Sequence, residues 1–299
     1  MIRRVVLTLF LLLATSLTLA GCEGEKPTFK VAYMICNSLE ESKGRFEGIT
    51  SYLSETTGAK FESIYLDTVD FEEAYKKGDI DFTHTNSLLF ITLSKRHGVK
   101  LLASEKRGTY GALSRGTIIV RSDSDIKTLE DLKGKRLVFG PQWAPFGFLS
   151  QYATMLAAGV DPEHDLGPYS FPRGNWKHEK IIYSVFYGAY DAGAAPLIDL
   201  EEMTADGRVS PDDFRVIASS DLAPYCTYGV AARVGEEWAE KVRDALLAID
   251  DETTANVGGE RILVNKRAFI DGFERLSMED FKTVDDWARL AKMPPYEEY

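Results

Sequence analysis

The sequence predicts an α/β fold of two lobes joined by ordered strands. Three observations carry that prediction. Short apolar, β-branched runs alternate with segments of helical period. The chain, at 299 residues, is long enough for two units of ordinary domain size. No low-complexity tract or flexible linker separates two halves, so the chain must cross between lobes on regular structure.

Seven runs read as strands: Val31–Ile35, Phe61–Leu66, Ile80–His84, Lys100–Ser104, Thr117–Arg121, Arg136–Gly140 and Phe214–Ser219. Between the first two, Phe46, Ile49 and Leu53 share one helical face, and Gly58 supplies the C-terminal stop. Thr128 and Asp131 stand at capping-box spacing in a short helix over 125–132, which ends at the Gly134 turn. A further helix spans Phe148–Ala158 and closes at Gly159. Near 235–250, Trp238, Val242, Ala245 and Ile249 form another buried face.

The first 22 residues have a different character. Arg3 and Arg4 precede the apolar run Val5–Leu13, and Leu19-Ala20-Gly21-Cys22 closes the segment with small residues. A basic start, a short apolar core and a small-residue cleavage site make a secretory signal over residues 1–21, too short for a stable span. Its ending resembles the lipobox of bacterial lipoproteins, which implies acylation of Cys22 and a soluble domain tethered to an extracytoplasmic or periplasmic membrane surface. Membrane contact is then expected through the anchor alone.

Lys and Arg total 35 against 46 Asp and Glu, a net charge of −11, and removing the leader makes the remainder more acidic still. Such a surface argues against nucleic acid as a partner, although a cleft can set its own local field. Neither Gly-x-Ser-x-Gly, His-Glu-x-x-His nor a phosphate loop is present, so no motif supports an enzyme, and no cofactor is expected. Past Cys22 only Cys36 and Cys226 remain. Three readings compete for them: a disulfide, which an oxidising compartment favours; packed free thiols; and a thiol site for a soft solute. Neither has the neighbours of a structural metal finger.

At Ser122–Gly140, SDSDIKTLEDLKGKRLVFG, the chain resembles the periplasmic phosphonate-binding receptors of ABC transporters. Tyr52–Gly58, Lys77–Phe82, Ala157–Pro162 and Gly188–Ala194 match further family motifs in the family's order. The resemblance implies a type II periplasmic-binding-protein fold, with two crossing strands and hinge closure over a central ligand cleft. It assigns 28–112 plus 225–299 to lobe 1 and 113–224 to lobe 2. The implied function is capture of a small oxyanion, phosphonate- or phosphite-like, for an ABC permease. Variants are a receptor that reports to a sensor histidine kinase, for a thiophilic oxyanion such as arsenite, and a ferric-ion receptor using Tyr33, Tyr225, Tyr228, His84 and His178.

By the same resemblance, the ligand rests on loops at strand ends and on helix N-termini. The first loop offers Cys36 and Asn37, followed by Ser38. The second offers His84, Thr85, Asn86 and Ser87, of which Asn86 or Ser87 also serves as a helix cap. In the third, Gly140–Phe148, the family's hydroxyl-rich Ser-Thr-Ser is replaced by Ala144, Pro145 and Phe146, and Trp143 and Phe146 make the wall aromatic. Pro145 has no N–H to offer. His178 occupies the register of the family's cleft histidine. The family's downstream carboxylate falls at Ile198, with Asp199 beside it, which disfavours an ammonium-bearing ligand. Tyr225 and Cys226 complete the expected rim.

Overall fold

A computed structural model of the chain describes residues 26–174 and 177–297. The leader and Cys22 lie outside the described residues, as do Asn175 and Trp176. From the N-terminal side the elements run β1 (Thr28–Met34), α1 (Leu39–Thr57), β2 (Lys60–Leu66), α2 (Phe71–Lys77), β3 (Phe82–Asn86), α3 (Ser87–His97) and β4 (Lys100–Glu105). The middle of the chain holds β5 (Leu113–Ser114), β6 (Gly116–Arg121), β7 (Leu137–Val138), α4 (Ser150–Ala157), β8 (Tyr169–Ser170) and α5 (Lys177–Phe186). There follow β9 (Ala192–Pro196), α6 (Leu197–Ala205), β10 (Phe214–Ser219), β11 (Ala223–Pro224), β12 (Cys226–Val230) and α7 (Glu236–Leu247). The last elements are the hairpin β13 (Thr254–Val257) and β14 (Glu260–Leu263), α8 (Val264–Ala268), β15 (Phe273–Glu274) and α9 (Lys282–Leu290).

These elements form two mixed sheets. One has the order β15-β4-β12-β3-β1-β2, the other β10-β6-β9-β7-β8. The chain passes from the first sheet to the second through β5 and returns through β11, and the two crossings pair antiparallel, Leu113 with Pro224 and Ser114 with Ala223. Both sheets are covered on two faces, so their inner strands bury both sets of side chains. In β1, Val31 and Tyr33 pack with Phe46, Ile49 and Leu53 of α1, whereas Ala32 and Met34 face the central core. In β6, Ile118 and Val120 join that central core while Ile119 packs with Ile181 and Val185 of α5. Helix α9 bridges the halves, packing on α3 beside one sheet and on α4 beside the other.

All seven sequence-predicted strands are present, and the three turn glycines expected to end helices, Gly58, Gly134 and Gly159, have positive φ. Two predictions need correction. The short helix over 125–132 shrinks to one 3₁₀ turn, Glu130–Leu132, because the Asp131 carboxylate accepts from the Lys127 and Thr128 N–H groups and holds the preceding residues out of a helix. The helix expected from Phe148 instead begins as a π-helical turn over Pro145–Leu149, with Pro145 at its start, where a missing N–H costs nothing.

Candidate functional site

Between the sheets lies a cavity of about 730 Å³. The loop after β1 brings Cys36 and Asn37 to it, and the end of β3 brings Asn86. Trp143 and Phe146 form an apolar wall with Pro141, Ala144 and Pro145 on the opposite side. His178 enters from the first turn of α5, while Tyr225 follows the return crossing and Cys226 opens β12. Eight of the eleven sequence-predicted side chains therefore converge here.

His84, Thr85 and Ser87 do not line the cavity, and the reason is backbone length. The sequence ends the third strand at His84, but β3 continues to Asn86 and runs directly into α3, leaving no loop. His84 is thus an in-strand residue, 1 % exposed, packed against Tyr33, Phe46 and Tyr228 and bonded through Nε2 to Glu105 at 2.9 Å. Thr85 sits opposite Thr227 inside the sheet. Asn86 takes the cap role alone, accepting from the Leu89 N–H at 2.9 Å, and the Ser87 hydroxyl is buried without a partner. The iron-ligand set is likewise divided: Tyr225 and His178 reach the cavity, but Tyr33 and Tyr228 are fully buried and bonded to each other. Burial pushes both phenols up, away from the tyrosinate form that iron requires.

Cys36 and Cys226 are both free thiols in the structure, so the disulfide reading is not the one it adopts. Cys36 Sγ turns toward the Met34 carbonyl at 3.7 Å. Burial raises both thiols, and each feels the opposing fields of Arg45, Arg107 and Glu105.

The cavity's charges sort into paired and unpaired. Arg107, just past β4, grips Glu202 of α6 through both terminal oxygens at 2.6 and 2.7 Å and reaches the Tyr225 hydroxyl at 3.4 Å. Burial opposes the Arg107 charge, but Tyr225, Asp199 and Glu202 together raise it. Arg208 is held by Glu179 and Asp206. His178 Nδ1 meets Asp199 Oδ2 at 3.2 Å. Burial of Asp199 favours its neutral form, yet His178, Arg107 and Arg45 outweigh it and hold the carboxyl below its ordinary range. Asp199 thus lines the cavity already committed to the imidazole. Among the described cavity residues, Arg45 and Lys177 are the cations without a carboxylate partner. Arg45 anchors its Nε on the Ala268 carbonyl at 3.1 Å, with its guanidinium over the rings of Phe46 and Phe269.

The unanticipated cavity residues carry a readable signal. Glu41 and Arg45 fall on one face of α1, four residues apart, directly behind the first cleft loop. Asp199 and Glu202 stand three apart on α6, and Asp206 caps its C-terminal end. Arg107, in the irregular segment after β4, has no such signature.

Residues 31–281 match the family described as the periplasmic substrate-binding protein of phosphonate ABC transporters. The chain belongs to that family. Its members are solute-binding proteins of transport rather than enzymes, and the two-sheet architecture is the type II periplasmic-binding-protein fold. The phosphate-import protein PhnD of Mycolicibacterium smegmatis is 23 % identical over 233 residues, covering 74 % of this chain and 71 % of that protein. The tetrathionate sensor histidine kinase TtrS of Salmonella typhimurium is 25 % identical over 234 residues, 73 % of this chain but 39 % of the kinase. Among solved structures, PhnD1 from Prochlorococcus marinus in complex with methylphosphonate superposes with a TM-score of 0.70 at 16 % identity, covering 89 % of this chain and 98 % of that one. No described helix is long and apolar enough to cross a membrane.

Proposed function

We propose that this family member captures a small oxyanion in the cavity between its sheets and closes over it for delivery to an ABC permease, tethered outside the cytoplasm by acylated Cys22. The observation that carries the anion is Arg45. Its guanidinium lines the cavity, is fixed at Nε by a backbone carbonyl and keeps its terminal nitrogens for a ligand, where charge-assisted contacts are strongest. His178 on the facing wall supplies a second polar contact. With Ala144, Pro145 and Phe146 replacing the family's hydroxyls, the remaining wall suits an apolar substituent on the anion.

A second reading replaces the permease with a sensor kinase. It is favoured by the match to the tetrathionate sensor, which extends over as much of this chain as the importer does.

One experiment addresses both. A thermal-shift panel of methylphosphonate, phosphate, phosphite, tetrathionate, arsenite and ferric citrate is read with and without reductant. A ligand at 100 times its Kd adds about 2.7 kcal/mol of stability. The expected result is a shift with at least one phosphorus or sulfur oxyanion. Replacing Arg45 by Gln should then weaken that ligand by about 1.5–3 kcal/mol, the usual worth of a hydrogen bond to a charged group. Isothermal titration showing unchanged affinity in R45Q removes Arg45 from the site; a shift with ferric citrate alone removes the oxyanion.

A further inference from the structure

Beneath the cavity floor sits a cluster that oxyanion capture does not use. His84, Glu105 and Cys226 each offer one donor atom, and these atoms lie within 4.8 Å of one another, all three residues being buried. They come from three adjacent strands, β3, β4 and β12, so the sheet itself fixes their spacing.

The pairing they make alone is incomplete. His84 Nε2 and Glu105 Oε1 bond at 2.9 Å, but His84 Nδ1 and Glu105 Oε2 are buried with no hydrogen-bond partner. Unsatisfied buried polar atoms are rare and costly, and two in one pair point to a missing occupant. A lone structural pair would be served as well by one fully bonded acceptor.

We infer that His84, Glu105 and Cys226 form a binding site for a borderline divalent cation of the Zn²⁺ class. A mixed nitrogen, oxygen and sulfur set suits zinc rather than calcium or magnesium. Donors of a tetrahedral zinc site stand roughly 3.3–3.8 Å apart, given bonds of about 2.0–2.3 Å, so only a small contraction is needed. On binding, the Cys226 S–H bond breaks, the proton leaves to solvent, and the thiolate electron pair forms the metal–sulfur bond. His84 coordinates as the neutral ring, with the hydrogen it now shares with Glu105 retained on the ring nitrogen that does not face the ion, so that no second proton is released. Thiolate, carboxylate and dication then sum to zero charge, so an occupied site does not repel an anion from the cavity. Cys226 lines that cavity while His84 and Glu105 lie behind it, so the cavity is the route by which the ion enters.

The test is made on the purified, reduced, chelator-treated protein with Co²⁺ as a spectroscopic substitute for Zn²⁺. Expected is a near-ultraviolet thiolate–cobalt charge-transfer band that equimolar Zn²⁺ removes. C226S abolishes the band and C36S keeps it. E105Q weakens Zn²⁺ by more than the roughly 10–100-fold that losing an outer-shell partner costs. A second readout needs no variant: Zn²⁺ slows alkylation of Cys226 by a small reagent and leaves Cys36 unaffected, as peptide mass shows. Absence of a thiolate band in the unaltered protein, a band that follows Cys36, or equal alkylation rates with and without Zn²⁺ overturns the site.

Discussion

At the scale of single residues, His178 is held in place by two neighbours of different kinds. Asp199 fixes its Nδ1, and Gly147 lies against the ring with so little room that an added Cβ would stand 3.0 Å from Nε2. The glycine is therefore part of the binding wall through its missing side chain. Gly147→Ala should displace the imidazole and weaken ligand binding about as much as His178→Ala, and the double variant should be no worse than either. Calorimetric titration of all three checks this, and additive losses would show independent action. Asp199 gives a pH prediction. Its carboxyl titrates below the ordinary value in the folded protein, so the stability it lends is complete above the ordinary carboxylate pKa, near 4, and is lost as pH falls through the depressed one. Asp199→Asn should cost about 1–3 kcal/mol at pH 7. Thermal unfolding followed downward from pH 7 should show the two proteins converging only once the pH has fallen below that depressed value.

At the scale of elements, the difference between what could and could not be read from the sequence follows side-chain size. Strands rich in Val, Ile and Phe, such as β1, β2 and β6, stand out by their apolar, β-branched runs. The central strands β9 and β12 read AGAAP and CTYGV and carry no such run. Their small residues answer to tertiary packing. A Cβ on Gly193 would lie 2.7 Å from Val185 and 2.8 Å from Ile181, where α5 presses on the sheet. A Cβ on Gly229 would meet Val99 at 2.5 Å. Gly193→Ala should cost about 1–3 kcal/mol by overpacking, seen as a lower denaturation midpoint with unchanged slope. The site was legible in the same uneven way. Residues placed by family motifs, such as Asn37, Asn86 and His178, reach the cavity, whereas His84 and Thr85 were displaced by two extra residues of strand. Arg107 and Glu202 meet only in three dimensions.

For the whole molecule, three contacts span the cavity. Asn86 Nδ2 donates to the Trp143 carbonyl at 2.8 Å, Tyr225 stacks on Phe146 at 6.1 Å, and Arg107 clasps Glu202. Glu202→Gln removes the charge that Arg107 faces while keeping the shape of its partner. The ligand-free protein should then open, with a larger radius of gyration by solution scattering. Its apparent affinity should fall about tenfold for each 1.4 kcal/mol of closed-state stability lost. Unchanged scattering in E202Q would show that the clasp forms only after the halves have met. Under the proposed closure, rotation would turn on the two-residue crossings β5 and β11, and α9, packed on both halves, would slide or release on one side.

The Asn86–Trp143 bond also makes the protein its own signal source. Among the described residues, the Trp143 indole lies on the cavity wall, and the Trp143 carbonyl is the group that meets the opposite half. Opening would pass that indole from a protein-lined surface to water, which shifts tryptophan emission. Arrival of a solute can then be followed in real time by intrinsic fluorescence, without a dye and without altering a single residue.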